Sequence, residues 1–353
     1  MKLQAFQQFL KEKKVDVAFF HNLDEKLNAS MYYFSQYLGA GVLLIPQSGK
    51  PILVVPQLDD ERARKTKMRV VTWKKKKLFE VLQEVVKKRR MNKIGIDKNH
   101  ISLVWNSILK KKFGKPLVDM NKTLVALRRQ KTKEEQSIIR EACKIKGEIF
   151  NKTLDQWHTF KTETDVAAYF QYLAAKQGLL TSFPMIVASG KNASSPHYEP
   201  QNTKLQKGFC VIDCGIKYKG YCTDMTRTVF VGTPSKKEKD HYEKIKNIQE
   251  SVMDLYKVGT KVADLDVFVR KKLGSLEKYF IHSLGHGVGI DVHEAPHISN
   301  RSKEILLENE YVTNEPGIYI PKKIGIRIED DILITKKGPE VLTKMCSKEL
   351  ICL

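Results

Sequence analysis

Asp213-Cys214-Gly215-Ile216-Lys217-Tyr218-Lys219-Gly220-Tyr221-Cys222-Thr223-Asp224 reads as two extended runs meeting at a Lys-Tyr-Lys-Gly turn. A symmetric turn centred between Tyr218 and Lys219 sets Asp213 directly opposite Asp224. Opposed residues on one face of an antiparallel pair hold their Cβ atoms roughly 4.5 to 5.5 Å apart, and like charges there destabilise the sheet. The same construction recurs with Glu315 and Glu329 across a loop at Pro321-Lys322-Lys323, although Pro316 and Gly317 interrupt the ladder beside Glu315. Carboxylates at this density must be protonated, paired with cations or bound to metal, and two divalent cations satisfy all four at once.

A fifth ligand is suggested by Ser283-Leu284-Gly285-His286-Gly287-Val288-Gly289, where three glycines surround one histidine. His282 and His286 have the i, i+4 spacing of a helical metal site. The glycines disfavour a helix, so His286 is expected on a loop, with His282 beside it facing the ligands or the substrate. Alone, each element has an ordinary reading: an aspartate capping a strand end, a histidine in the core. Together they point to metal, and oxygen-rich ligation with a single imidazole suits Mn, Co, Fe or Zn.

Working outward, short apolar runs alternate with amphipathic stretches in the first third of the chain. Residues 15–20, 41–45, 52–55 and 93–97 read as strands, and 78–86 and 101–113 as helices, which suggests an α/β layer domain. The domain boundary is expected near residue 123, giving domains 1–123 and 124–353. Thr132 followed by Glu134 and Glu135 signals a helix start. Helices are expected over 133–156, 163–177, 236–257 and 261–273, and strands over 183–188, 208–217, 221–232, 311–320 and 325–335, an α+β pattern.

A length of 353 residues fits two domains, and no apolar run is long enough to span a bilayer. The N-terminus carries no secretory pattern, so the expected address is cytoplasmic. Six cysteines without C-x-x-C spacing read as reduced thiols. The net charge of +22 is concentrated early, with 26 Lys and Arg against 11 Asp and Glu among residues 1–123. Basic runs at 74–77 and 87–90 lack interleaved aromatics, so a solvated surface is expected rather than a nucleic-acid site.

The residues resemble the pita-bread metallopeptidases, the family of methionine aminopeptidase, aminopeptidase P and prolidase, and are most similar to the aminopeptidase P and prolidase branch. Carrying the likeness are residues 213–224, Phe280-Ile281-His282-Ser283-Leu284-Gly285-His286-Gly287-Val288-Gly289, His293-Glu294-Ala295-Pro296, Asn314-Glu315-Pro316-Gly317 and Gly325-Ile326-Arg327-Ile328-Glu329-Asp330. The resemblance spans nearly the whole chain and implies an α+β pita-bread catalytic domain behind a smaller α/β domain of the creatinase/prolidase N-terminal kind.

It further implies that Asp213, Asp224, His286, Glu315 and Glu329 hold two divalent metals, with Asp224 and Glu329 shared. His197 and His293 match the family's additional active-site histidines, and Arg327 the arginine that orients carboxylates. The expected reaction is hydrolysis of the bond preceding proline, as an Xaa-Pro aminopeptidase or dipeptidase, with a water shared by the metals as nucleophile. Glu315 is the expected proton shuttle, and His197, His293, His282 and His297 the substrate-facing groups. The rigid proline ring is expected to pack against the segments Phe183-Pro184 and His197-Tyr198. Where dipeptide-specific relatives often have an arginine this chain has His297, which loosens the expectation of strict dipeptide specificity. Alternatives are a methionine aminopeptidase-like peptidase and a metal-free interaction protein on the same fold. A homodimer is also implied.

Overall fold

The computed structural model describes residues 2–23, 27–74, 77–88 and 92–353. Lys75, Lys76, Arg89 and Arg90 of the two basic runs lie outside the described residues. The chain divides into two compact units, Met1–Arg128 and Arg129–Leu353. The boundary expected near residue 123 falls inside the helix Asn121–Arg129, whose buried Leu124 and Arg128 carry the first unit beyond that point.

The N-terminal unit is built on one six-stranded sheet, in the order Arg69–Trp73, Ile52–Pro56, Gly41–Pro46, Val17–Asn22, Ile94–Ile96, Leu117–Asp119. Every residue of the two central strands Gly41–Pro46 and Val17–Asn22 is buried, which is why they read as unbroken apolar runs rather than alternating ones. Ala18, Phe20, Leu43 and Ile45 pack on one face with Phe6 and Leu10 of the helix Lys2–Glu12. Val17, Phe19, Val42 and Leu44 pack on the other with Val81 and Leu82 of Leu78–Lys88 and Leu109 of Leu103–Phe113.

The C-terminal unit sandwiches its sheets between two helix pairs. Ile149, Phe150, Val166 and Phe170, from Lys133–Asp155 and Glu163–Lys176, meet Cys210, Ile212 and Val229 of the sheet. Tyr242, Ile245, Leu265 and Val269, from Lys236–Met253 and Val262–Leu273, meet Phe209, Phe230, Val312 and Ile332 from the other side. Alternation along Gly208–Asp213 thus feeds both layers. The capping box at Thr132 forms with Glu135, and Thr162 forms a second with Asp165.

The expected hairpin register is corrected by two positions. The turn is Lys219-Gly220, with φ of 44° and 77°, so Tyr218 lies opposite Tyr221. Two successive positive φ values are the mark of a two-residue hairpin loop whose twist matches its strands. Asp213 consequently pairs with Thr226 rather than Asp224. At Glu315 and Glu329 the expected register holds: Gly317 lies opposite Arg327 and Ile320 opposite Ile324, so the two glutamates fall just past the end of the ladder.

His286 is likewise corrected from loop to strand. Gly285–Gly287 is a short strand inside a five-stranded sheet, between Glu294–Ile298 and Tyr311–Asn314. The glycines serve close approach: a Cβ on Gly287 would lie 2.1 Å from the Ala295 carbonyl oxygen, and one on Gly285 2.4 Å from that of Thr313.

Candidate active site

Asp213 ends the strand Gly208–Asp213, and Asp224 sits in the gap between Tyr221–Cys222 and Thr226–Val231. Glu315 and Glu329 sit in the gaps that follow Tyr311–Asn314 and Ile324–Arg327. Their backbone N–H groups, released from the ladders, find other acceptors. Glu315 N–H donates to Leu284 O at 2.9 Å, Glu329 N–H to Thr226 O at 3.0 Å, and Asp224 N–H to Asp331 Oδ2 at 3.0 Å. Every one of these side chains, with His286, lines a cavity of about 630 Å³.

Ligand atoms of Asp224, His286 and Glu329 all lie within 4.8 Å of one another. His286 Nε2 is 3.6 Å from Asp224 Oδ2 and 3.5 Å from Glu315 Oε1. Asp213 joins through Arg327, whose Nη2 donates to Asp213 Oδ2 at 2.7 Å. Arg327 Nε donates to Thr226 Oγ1 at 2.9 Å, which in turn donates to Glu329 Oε2 at 2.8 Å. One guanidinium therefore orients a carboxylate directly and another through a hydroxyl.

The histidine tautomers follow from their partners, because a carbonyl oxygen can only accept. His286 Nδ1 lies 3.0 Å from Gly287 O and must carry the hydrogen, leaving a lone pair on Nε2 that faces Asp224 and Glu315. His282 Nδ1 donates to Ser283 O at 2.8 Å, so its Nε2 accepts from the Tyr319 hydroxyl at 3.1 Å. That hydroxyl accepts from Arg327 Nη1 at 2.6 Å. His293 packs against His286 with ring centroids 4.4 Å apart, His297 Nε2 is 3.0 Å from Ser283 Oγ, and both line the cavity with His197.

Burial, followed by the charges of Glu329 and Asp213, pushes the Asp224 carboxyl well above its usual range. Burial and the Glu315 and Asp213 charges do the same to Glu329, and burial lifts Glu315 to about 8. Burial, then His293, holds His286 down at about 3, and burial, then Arg327, does so for His282. Acidic groups that hold on to their protons are crowded together here, with a neutral imidazole lone pair aimed at them. Asp213 Oδ1 and Glu329 Oε1 are buried and accept no hydrogen bond among the described residues. A donor set of orphaned carboxylate oxygens and one free imidazole nitrogen fits a divalent cation.

Sequence reasoning missed the groups behind the cluster. Lys146 and Asp331 are completely buried and paired at 2.9 Å. Lys146 Nζ also donates to Asp224 O at 2.8 Å, so the pair grips the Asp224 peptide on both its N–H and C=O sides. Thr226 and Tyr319 were missed as well. Only the acidic run Glu329-Asp330-Asp331 carried a visible signal, and nothing in it distinguishes Asp331, which grips Asp224, from Asp330, which pairs with Arg227 at 2.7 Å.

Carboxylates gathered at strand breaks around a histidine on a short strand, inside a cavity of peptide size, define a metal-dependent peptidase. The chain belongs to metallopeptidase family M24, whose model matches residues 137–336, and the creatinase/prolidase N-terminal domain matches residues 2–130. Its catalytic unit has the pita-bread fold, and the family uses divalent metal ions. The chain is 35% identical to the Xaa-Pro dipeptidase of Pyrococcus furiosus over 97% of each chain. Among solved structures it resembles the X-Pro aminopeptidase of Thermotoga maritima (TM-score 0.90, 30% identity, 97% of this chain and 99% of that one). It is equally close in fold to the prolidase of Pyrococcus horikoshii (TM-score 0.90, 32% identity, 99% of each). Among the described residues no helix is long and apolar enough to cross a membrane.

Proposed function

We propose that the chain hydrolyses the peptide bond preceding proline at the N-terminus of short peptides, using two divalent ions held by Asp213, Asp224, His286, Glu315 and Glu329. The observation that carries this reading is the convergence of these five groups in a single cavity that also has an apolar wall, Phe183, Pro184, Met185 and Ile186, suited to a rigid pyrrolidine ring. Bound divalent ions would supply an activated water and an electrophile for the scissile carbonyl.

The chain's own residues do the rest. The proline ring nitrogen has no hydrogen and must gain a proton to leave. Glu315, with Oε1 3.5 Å from His286 Nε2 and Oε2 3.9 Å from His282 Nδ1, is the carboxylate suited to deliver it. His197 and His293 are the donors for the carbonyl oxygen, a role worth roughly 10² to 10³ in rate for comparable donors. Arg327 is already committed to Asp213, Thr226 and Tyr319. A substrate's free carboxylate is therefore left to the histidines, and peptides longer than a dipeptide are expected to be cleaved at least as well as dipeptides. The reading includes a cytoplasmic address and a homodimer, the second of which the molar mass in solution tests.

The test compares an X-Pro dipeptide, an X-Pro-Y tripeptide and a Met-Ala peptide with the metal-loaded protein. Metal-dependent cleavage before proline is expected, with about two ions bound per chain and activity at background in a folded Asp224→Ala variant. Turnover retained in that variant, or no metal bound at saturating divalent cation, would overturn the reading. Preferred cleavage of Met-Ala would replace it with the methionine aminopeptidase alternative.

A further inference from the structure

Glu163 opens the helix Glu163–Lys176 with a carboxylate that is completely buried and has no cationic partner among the described residues. An uncompensated buried carboxylate is strongly unfavourable, so its surroundings must supply hydrogen bonds. Ser189 N–H and Oγ donate to Oε1 at 2.8 Å each, and Asn192 Nδ2 at 3.0 Å. Thr203 Oγ1 donates to Oε2 at 3.0 Å, and Gln201 N–H reaches it at 3.5 Å. Burial pushes this carboxyl upward, but the bonds from Ser189 and Asn192 outweigh it and hold Glu163 below its usual range.

The origin of the donors matters more than their number. Ser189 and Asn192 begin the stretch 189–203, and Gln201 and Thr203 end it. Its middle carries His197 and Tyr198 into the cavity wall. The first helical N–H groups reinforce the closure, Glu163 N–H donating to Thr203 O at 3.2 Å and Thr164 N–H to Gln201 O at 3.3 Å. Asn192 Nδ2 also donates to the Tyr198 hydroxyl at 2.9 Å, linking the anchored end to the residue beside His197. Both ends of a strap about fifteen residues long thus return to one carboxylate, as the roots of a compact surface loop do.

We propose that Glu163 is a positioning residue: its carboxylate fastens the 189–203 strap at both ends and thereby sets where His197 stands in the cavity. An amide cannot substitute, because donors approach both oxygens and glutamine would offer one acceptor and turn an N–H toward another N–H. The inference rests on the reading of His197 as a substrate-handling group.

The experiment uses metal-loaded Glu163→Gln, His197→Ala and the double variant. Carbethoxylation by diethyl pyrocarbonate is followed by mass spectrometry at His197, with the exposed His158 as internal reference. In Glu163→Gln the His197 rate changes several-fold relative to His158, and bound metal per chain is unchanged. kcat/KM falls by about tenfold, mostly through kcat, in keeping with the sensitivity of rate to small misplacements of a group that acts on the reacting carbonyl. Glu163→Gln added to His197→Ala costs little further, since one acts through the other. An unchanged His197 rate in folded Glu163→Gln, or losses that multiply in the double variant, would overturn the proposal. If His197→Ala alone leaves kcat/KM intact, the role given to His197 fails, while positioning is still decided by the modification rate. Should Glu163→Gln not fold, Thr203→Val removes one donor at the far end of the strap and is read the same way.

Discussion

Arg327 shows how much of the site hangs on one side chain. It is almost fully buried, and its nitrogens reach Asp213 Oδ2, Thr226 Oγ1, the Tyr319 hydroxyl and Pro196 O, at 3.3 Å for the last. A lysine has the charge but not the planar fork, so Arg327→Lys keeps at most part of this set and leaves the Asp213 and Glu329 carboxylates unoriented. The expected result is a 10- to 100-fold loss in metal affinity or kcat/KM with the fold intact, the range typical of groups that orient metal ligands. Metal titration of the variant checks it, and wild-type affinity would contradict it. Arg327 was legible because it sits two residues from Glu329 in a stretch resembling a known motif. Thr226, Lys146 and Asp331 were not, because their partners are remote in sequence: Thr226 and Glu329 lie 103 residues apart, Lys146 and Asp331 185. Tyr319, only eight residues from Arg327, belonged to no motif. A hydroxyl or an acid of common type becomes distinctive only once folding has chosen its neighbour.

Each of the four long extended runs read from the sequence is split in the structure, and each split carries or adjoins one of the acids. The run 208–217 breaks after Asp213, 221–232 around Asp224, 311–320 at Glu315 and 325–335 at Glu329. The apolar alternation that marks a strand continues across a gap of two or three residues, so the sequence showed the strands but not where their ladders stop. The hairpin register was misread by two positions, yet Asp224 stayed on the Asp213 side, because side chains alternate with a period of two and a diagonal neighbour shares the face. At His286 the glycines misled for a physical reason: they signal freedom in one context and close packing in another. A Gly287→Ala variant tests the second meaning. Its Cβ would meet backbone at 2.1 Å on the neighbouring strand, so the strands must part and His286 must shift with them. A destabilisation of roughly 1 to 3 kcal/mol is expected, as for other overpacked sites, together with weakened metal binding. Melting and metal titration of the same preparation check both, and an unperturbed variant would show that the strand spacing is not what holds His286.

For the molecule as a whole, the carboxylate cluster makes stability without metal depend on pH in a direction that can be worked out. Glu315 titrates at about 8 in the folded chain against an ordinary 4.5, and Asp224 and Glu329 are also raised. His282 and His286 go the other way, to about 3 from 6.5, and His293 is lowered too. Between about pH 4.5 and 6.5 the folded chain keeps carboxyl protons that the unfolded chain has lost, while the unfolded chain carries imidazolium protons that the folded chain lacks. These terms oppose each other. Above about pH 7.5 the imidazoles are neutral in both states and only the carboxyls remain, so stability falls as pH rises through the folded value of Glu315. The buried thiols Cys143, Cys210 and Cys214, pushed up by burial, add the same sign only near their unfolded value of 9.0, beyond this window. From pH 6.5 to 8.0 Glu315 alone accounts for a loss on the order of 2 kcal/mol, of which the last imidazolium protons of the unfolded chain offset roughly half, leaving about 2 to 3 °C in Tm before the raised Asp224 and Glu329 add to the fall. Bound divalent cations stabilise the ionised carboxylates and abolish the trend, and their binding releases protons. Melting curves of chelator-treated and metal-loaded protein at the two pH values read this directly. A metal-free Tm that stays level or rises from pH 6.5 to 8.0 would mean that the acids are not crowded in the folded chain, and the reason for metal at this centre would go with it.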